Sequence, residues 1–295
     1  MKSGFVAIIG RPNVGKSTLL NAILEKKVSI VADKAQTTRN NIKGIYNSED
    51  AQIVFVDTPG IHKPRYKLGE EMDKMAYSAV EDVDAIVLVV EASKPFGSGD
   101  EFLLEKVKMD VPTFVVINKI DTATIFEVQA LKEKYAERLP KAKIIEMVAT
   151  EKFNVDELLK EIKAVLPEGP RYYDEETLTD QDEIFQIKEI IREKTLRLLR
   201  DEVPHSIAVY MEHIEWDDDP IHIRASIIVE KDSQKGIVIG KGGRRLKDIG
   251  MKARKDIEDL LKKHVYLDLF VRVKEDWRNS DSLLTDFGYK TKKKQ

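Results

Sequence analysis

The 295-residue chain contains no cysteine. That excludes disulfides and thiolate zinc sites and fits a reducing compartment. Histidine is scarce, and His62, His205, His213, His222 and His264 lie scattered without metal-site spacing. Long apolar runs are missing: the first, 5–9, is too short for a signal-peptide core and far short of a membrane span. A large charge imbalance is missing too. The formal net charge of −3 means that any contact with nucleic acid must come from a local basic patch. These absences lead to the expectation of a soluble cytoplasmic protein. The length suits one large domain or two ordinary ones.

The first half alternates β-type runs (5–9, 42–46, 52–56, 85–90, 113–117, 144–148) with helical stretches near 16–25, 69–80, 99–109, 124–138 and 154–166. Such alternation predicts an α/β fold around a mostly parallel six-stranded sheet. Only NSED (47–50) separates the second and third runs, so that pair is expected to be an antiparallel hairpin. Pro167-Glu168-Gly169-Pro170 then ends a helix, and 174–183 is acidic without a basic residue. Punctuation followed by a charge run marks a linker. The expected division is a domain over 1–170, an acidic linker over 171–182 and a second domain over 183–295. The second domain reads helix, strand, strand, helix, helix, strand, which is an α+β pattern. In its last strand Val265, Leu267, Leu269, Val271 and Val273 alternate cleanly.

GRPNVGKS (10–17) fits the phosphate-loop pattern between a strand and a helix. In such a loop the backbone of Gly10, Arg11, Pro12, Asn13, Val14 and Gly15 turns its N–H groups toward phosphates, helped by the helix N-terminus that continues into Thr18. Lys16 would reach the β- and γ-phosphates, and the Ser17 hydroxyl would bind Mg²⁺. A chance Gly-Lys-Ser turn would need no strand before it. DTPG (Asp57, Thr58, Pro59, Gly60) ends the third run. There Asp57 can support the metal, and Gly60 can offer its N–H to the γ-phosphate. NKID (118–121) ends the fifth run and selects the base. Asp121 can accept from guanine N1–H and its 2-amino group, donors that adenine lacks. Asn118 would tie the loops together, and the Lys119 stem would cover the base. The nucleotide is therefore read as GTP. QTTR (Gln36, Thr37, Thr38, Arg39) is a candidate switch whose threonine caps Mg²⁺ only while a γ-phosphate is present. Thr38 is favoured over Thr37.

In this order and spacing, the four motifs resemble the translation-factor-related class of small GTPases. That class usually carries Ser-Ala where this chain has Val148-Ala149. The resemblance implies that the Ala149 N–H still meets the guanine carbonyl, without a supporting serine hydroxyl. Ras-type enzymes place a water-orienting Gln after DxxG. Here that residue is Ile61, which cannot orient water, so slow intrinsic turnover is expected. In GTPases resembling this one, an Asn at the place of Asn13 helps hold K⁺ against the phosphates.

A second glycine loop, GIVIGKGG (236–243), joins two helices and so cannot be a second phosphate loop. Gly240-Lys241-Gly242-Gly243 fits the G-x-x-G of a KH domain, which clamps the backbone of single-stranded nucleotides. Residues 231–263 carry eleven Lys/Arg against five Asp/Glu, among them Arg244, Arg245 and Lys247 beside the loop. Ile237, Val238 and Ile239 could floor a base groove or pack in the core. Trp277 in the tail (276–289) could stack on bases or be core.

Together the halves resemble the Era family of ribosome-assembly GTPases, a GTPase domain followed by a type II KH domain. The family implies binding near the 3′ end of small-subunit ribosomal RNA, action in maturation of the small ribosomal subunit, and peripheral contact with the inner face of the membrane; a monomer is expected. Two other readings stay open: a GTPase partner of an RNA-modifying enzyme, and a signalling GTPase whose second domain binds protein. For the former, the sequence offers no defensible catalytic nucleophile of its own.

Overall fold

Strands form where the first half concentrates Val, Ile and Phe. The computed structural model describes residues 1–34, 36–107, 110–199 and 203–290; the end of the stretch expected as helix at 99–109 and the basic TKKKQ tail lie outside the described residues. The chain divides into two compact units, the first of 1–31, 35–64 and 72–180, the second of 181–295 with 32–34 and 65–71.

In chain order the first unit runs β1 (Lys2–Ile9), α1 (Lys16–Leu24), β2 (Ile42–Asn47), β3 (Ala51–Asp57), α2 (Lys67–Ser78, whose first turn groups with the second unit), β4 (Ala85–Glu91), α3 (Ser98–Lys106), β5 (Thr113–Asn118), α4 (Ile125–Arg138), β6 (Lys143–Met147) and α5 (Val155–Val165). The six strands order as β2-β3-β1-β4-β5-β6. Only β2 and β3 are antiparallel, from Ile42 opposite Asp57 to Asn47 opposite Gln52, which is the hairpin expected from the short turn. Every residue of β3 is buried, as befits a strand covered on both faces. On one face, Ala7, Ile9, Leu88 and Ile117 pack with Leu103 of α3 and Leu131 and Tyr135 of α4. Leu19, Leu20 and Ile23 of α1 and Leu158 and Ile162 of α5 are also buried.

This topology gathers the motifs at one end. The glycine loop follows β1, Asp57 ends β3, Asn118 ends β5 and Ala149 follows β6, all at the carboxyl ends of strands, where open α/β sheets bind ligands. Just beyond NKID, a capping box starts α4: Thr124 Oγ1 accepts from Glu127 N–H at 3.3 Å, while the Glu127 carboxylate accepts from Thr124 N–H at 2.7 Å.

The acidic stretch after α5 is strapped to the hairpin. Gln52 Oε1 accepts from the N–H groups of Tyr172 and Tyr173 at 2.6 and 3.0 Å, Ile45 N–H donates to Leu178 O at 2.9 Å, and Lys43 pairs with Asp180 at 2.8 Å. Exposed backbone on the outer strand β2 is thereby partly covered.

The second unit holds α6 (Glu183–Leu198), β7 (Ala208–Glu215), β8 (Ile221–Val229), α7 (Asp232–Ile239), α8 (Arg244–Leu261), β9 (Val265–Val273) and α9 (Asp281–Asp286). Its sheet, β7-β8-β9, pairs β7 antiparallel and β9 parallel to β8. Ile187 and Ile191 of α6, Ile249, Ala253 and Ile257 of α8, and alternate residues Ile223, Ala225 and Ile227 of β8 are all buried, forming an α+β core. Trp277 is fully buried and donates from Nε1 to Ser206 O at 2.8 Å, so it belongs to the core and not to a stacking surface. Helix α9 after it is an element that the sequence pattern did not reveal.

Candidate functional site

The loop at 10–16 encloses its own lysine. Lys16 is 6% exposed, and its ammonium donates to Arg11 O at 2.9 Å and Gly10 O at 3.2 Å. Burial lowers its pKa to about 8, partly offset by the nearby Asp57 carboxylate. A polyphosphate would replace those two carbonyls with full negative charge. Gly15, at φ 101°, passes so close to Asn118 that a Cβ there would lie 2.2 Å from Nδ2.

Three oxygens converge beside Lys16. Ser17 Oγ donates to Asp57 Oδ2 at 2.6 Å and lies 2.8 Å from Thr38 Oγ1. Ser29 Oγ, which the motif reading missed, also donates to Asp57 Oδ2 at 2.9 Å. Asn21 fixes that segment, its Oδ1 accepting from Val28 and Ser29 N–H at 2.9 Å each. The only signal in the sequence was Asn21 interrupting the apolar run 19–24 of α1. Asp57 is fully buried; burial raises its pKa, and Oδ1 has no hydrogen-bond partner among the described residues. An orphaned carboxylate oxygen beside two hydroxyls is a hard-oxygen donor set of the kind Mg²⁺ takes. These residues fit the ion.

The remaining DTPG residues are structural neighbours of the loop. Thr58 is buried and donates from Oγ1 to Ile8 O at 2.9 Å. Gly60 lies on Pro12: a Cβ there would sit 2.7 Å from the Pro12 Cα. Ile61 is 1% exposed and belongs to the core cluster, so the place of a water-orienting side chain is filled by packing. His62 links the candidate switch to the DTPG turn, with Nε2 2.9 Å from Gln36 Nε2 and Nδ1 3.1 Å from Gly60 O. Arg39 is almost wholly buried.

Asn118 links three loops: its Nδ2 donates to Val14 O at 2.9 Å and its Oδ1 accepts from Ala149 N–H at 3.0 Å. Lys119 spans to Asn13 O at 2.8 Å and pairs with Glu91 at 3.2 Å. Asp121 is exposed in the short turn that follows. Val148 is buried, and Asn154 Nδ2 pins the loop behind it by donating to Glu146 O at 2.9 Å.

In the second unit, the GKGG backbone requires glycine at more than one place: Gly240, Gly242 and Gly243 have φ of 73°, 60° and 74°. Lys241 and Gly242 are exposed. Helix α8 starts here with Arg244, Arg245 and Lys247 and no acidic residue in its first turn. Positive charge at a helix N-terminus opposes the macrodipole, a mismatch that a bound anion relieves. The Arg245 guanidinium turns back to donate to Ile237 O at the end of α7.

Beside the loop runs a groove of about 380 Å³ between α8 and β9, lined by Gly243, Leu246, Lys247, Gly250, Met251, Arg254, Tyr266, Leu267 and Leu269. Its floor is not the 237–239 triplet. Those residues form the end of α7, where Val238 is fully buried and Ile237 is 43% exposed. The groove instead uses apolar residues of α8 and the outer strand, with exposed Met251 and Tyr266 on its rim.

Comparison with known proteins agrees with both halves. Residues 5–119 match the family described as 50S ribosome-binding GTPase, and residues 202–278 match the KH domain family. The fold is similar to that of Era crystallised with MgGDPNP and nucleotides 1506–1542 of 16S ribosomal RNA, at 41% identity over 98% of this chain and 99% of that one, with a TM-score of 0.94. It is equally similar to a single-residue variant of Aquifex aeolicus Era bound to GDP·AlF4⁻, with 41% identity, the same coverage and a TM-score of 0.93. With both domains matched and the identity extending over nearly its whole length, this chain belongs to the Era family of GTPases.

Proposed function

We propose that residues 1–170 bind GTP with Mg²⁺ and hydrolyse it, that 171–182 connect, and that 183–295 clamp single-stranded RNA near the 3′ end of small-subunit ribosomal RNA. The protein then acts as a nucleotide-switched factor in assembly of the small ribosomal subunit. The observation that carries this reading is the meeting of Ser17, Thr38 and Asp57 oxygens, with Asp57 Oδ1 unpartnered, next to the buried Lys16. The relatives bound to MgGDPNP with ribosomal RNA and to GDP·AlF4⁻ support the choice of ligands.

In hydrolysis a water oxygen bonds to the γ-phosphorus as the bond to the β–γ bridging oxygen breaks, giving GDP and phosphate. Lys16 gives up its two carbonyl partners for β- and γ-oxygens, and the Gly60 N–H meets the γ-phosphate. Ser17, Asp57 and Thr38 would hold Mg²⁺, directly or through water, and the bound ion would supply positive charge against the phosphate oxygens. Losing the γ-phosphate frees Thr38, and the 36–39 segment relaxes. Asp121 reads guanine, Lys119 covers it, and Ala149 N–H meets its carbonyl. Because Ile61 is buried, no side chain at its position orients the water, and turnover without help is slow. Asn13 would hold K⁺ beside the phosphates, where the ion would supply the positive charge that an arginine finger supplies in other GTPases.

In the second domain the GKGG main chain, Lys241, Arg244 and Lys247 hold phosphates while bases lie over the apolar groove. A nucleotide-dependent RNA clamp fits a role in assembly, where RNA must be held and then released. Single-turnover hydrolysis in K⁺ and in Na⁺ tests the first domain. We expect the rate in K⁺ to be higher by at least about tenfold, a small part of what a supplied cation can give. Equal rates would remove the role of Asn13, and no hydrolysis in either salt would remove the enzyme reading.

A further inference from the structure

One P-loop side chain has no part in the reading above. The Arg11 guanidinium points along the first unit to Asp100, the third residue of α3, with Nη1 donating to Oδ2 at 3.0 Å. That carboxylate is 6% exposed and fully engaged. Its Oδ2 also accepts from Gly97 N–H at 3.0 Å, capping α3, and its Oδ1 accepts from the Tyr135 hydroxyl of α4 at 3.0 Å. Tyr135 is 1% exposed and cannot swing away. One buried carboxylate thus fastens the phosphate loop to two helices.

A second observation points the same way. Gly99 has an ordinary φ, so its backbone does not demand glycine, yet a Cβ there would lie 3.0 Å from Arg11 Nε and 3.4 Å from its Cδ and Cζ. A glycine in a helix lowers its stability relative to alanine. Here the missing side chain makes room for the guanidinium. The part of the loop held in this way lies at the γ-phosphate end: Arg11 O is 2.9 Å from the Lys16 ammonium, and Pro12 abuts Gly60.

We propose that Asp100, itself held by Tyr135, is a positioning residue for GTP hydrolysis that acts through Arg11 to fix residues 10–13 against the γ-phosphate. This rests on the GTPase reading and deepens it by assigning a role to Asp100 and Tyr135, which lie outside the nucleotide-contacting set, and to the side chain of Arg11. The clamp works by preorganisation: a loop already held in place loses little freedom when the triphosphate arrives. Because it acts at the γ end, it favours the triphosphate over the diphosphate.

The test is a double-mutant cycle with Arg11→Ala, Asp100→Asn and both together. The readouts are single-turnover GTP hydrolysis, the ratio of affinities for a non-hydrolysable GTP analogue and GDP, and Tm. Each single variant is expected to lower both the rate and the affinity ratio by about fivefold, the scale of a contacting pair, and the double variant to be no worse than Arg11→Ala alone. Gly99→Ala is the second probe, since it leaves the carboxylate intact. It should lower the affinity ratio by about twofold while Tm stays level or rises, which a purely structural role cannot produce. Losses that multiply in the double variant would overturn the proposal, as would an Arg11→Ala protein with an unchanged ratio and rate. Wild-type protein that binds neither nucleotide would defeat the GTPase reading itself, and this inference with it.

Discussion

The two glycine loops of this chain solve related problems in opposite surroundings. At 10–16 the loop is closed in by Asn118, Lys119, Gly60 and the Arg11–Asp100 pair, and its lysine is buried. At 240–243 the loop stands open, with Lys241 and Gly242 exposed and a groove of about 380 Å³ beside it. Both use main-chain N–H groups freed by absent side chains. Walls suit a compact triphosphate that must be surrounded; an open edge suits a polymer that must pass through. The surroundings, more than the glycines, decide which phosphate is bound.

Removing the lysine from the enclosed loop should have the largest effect. Lys16→Ala leaves triphosphate charge unpaired in a dry site, and the expected loss of GTP affinity is on the order of 10³-fold by calorimetry. Next is the base. Asp121→Asn loses two charge-assisted hydrogen bonds to guanine, an expected fall of about 10²–10³ in GTP affinity. The same variant should gain affinity for the xanthine nucleotide, whose 2-carbonyl can accept from the new amide; a variant that still prefers GTP would show that Asp121 does not read the base.

The open loop should respond more gently. With Lys241, Arg244, Lys247 and Arg254 near phosphates, RNA affinity should fall with salt at a log–log slope of about −3, and Lys241→Ala should reduce that slope by about 0.7 while costing only several-fold in affinity. A slope near zero would mean that the groove holds something other than nucleic acid.

The smallest effect concerns a carboxylate behind the switch. Burial raises the Asp73 pKa from 3.8 to about 6, against a hydrogen bond from His62 N–H that lowers it. Its ionisation therefore opposes folding: the cost is absent below pH 4, grows from pH 4 to 6 and is complete above that. Asp73→Asn keeps an acceptor for His62 and removes the charge. It should raise stability by ~1–2 kcal/mol at pH 7.5, with the gain gone at pH 4, as read from denaturation at the two pH values.

What was legible in the sequence follows the same contrast. The strand–loop–helix context of GRPNVGKS, the hairpin at 42–57 and the element order of the second half follow from local pattern, because phosphate chemistry and short turns fix residues close together in the chain. The groove floor did not. Leu246 and Gly250 on α8 meet Leu267 and Leu269 on β9 only through tertiary packing, and the Ile237–Ile239 triplet, floor or core by sequence, ends helix α7 with Val238 turned inward. Ser29, which reaches Asp57 from 28 residues away, carries no motif. Trp277 could stack or pack by sequence alone, and its bond to Ser206 O decided for packing. The segment 171–182 reads as an acidic linker, and only the folded chain shows it held to the hairpin by Lys43, Ile45 and Gln52.

The central claim is that the enclosed loop controls the open one. Its most direct test is the affinity of the full chain for a short single-stranded RNA copying the 3′ end of small-subunit ribosomal RNA, with a GTP analogue or GDP bound, for wild type and Gly242→Asp. Binding should be tighter in the GTP-analogue state and weaker by roughly tenfold or more in the variant, whose new carboxylate faces the phosphates. Equal binding in both nucleotide states, or by both proteins, would contradict that claim.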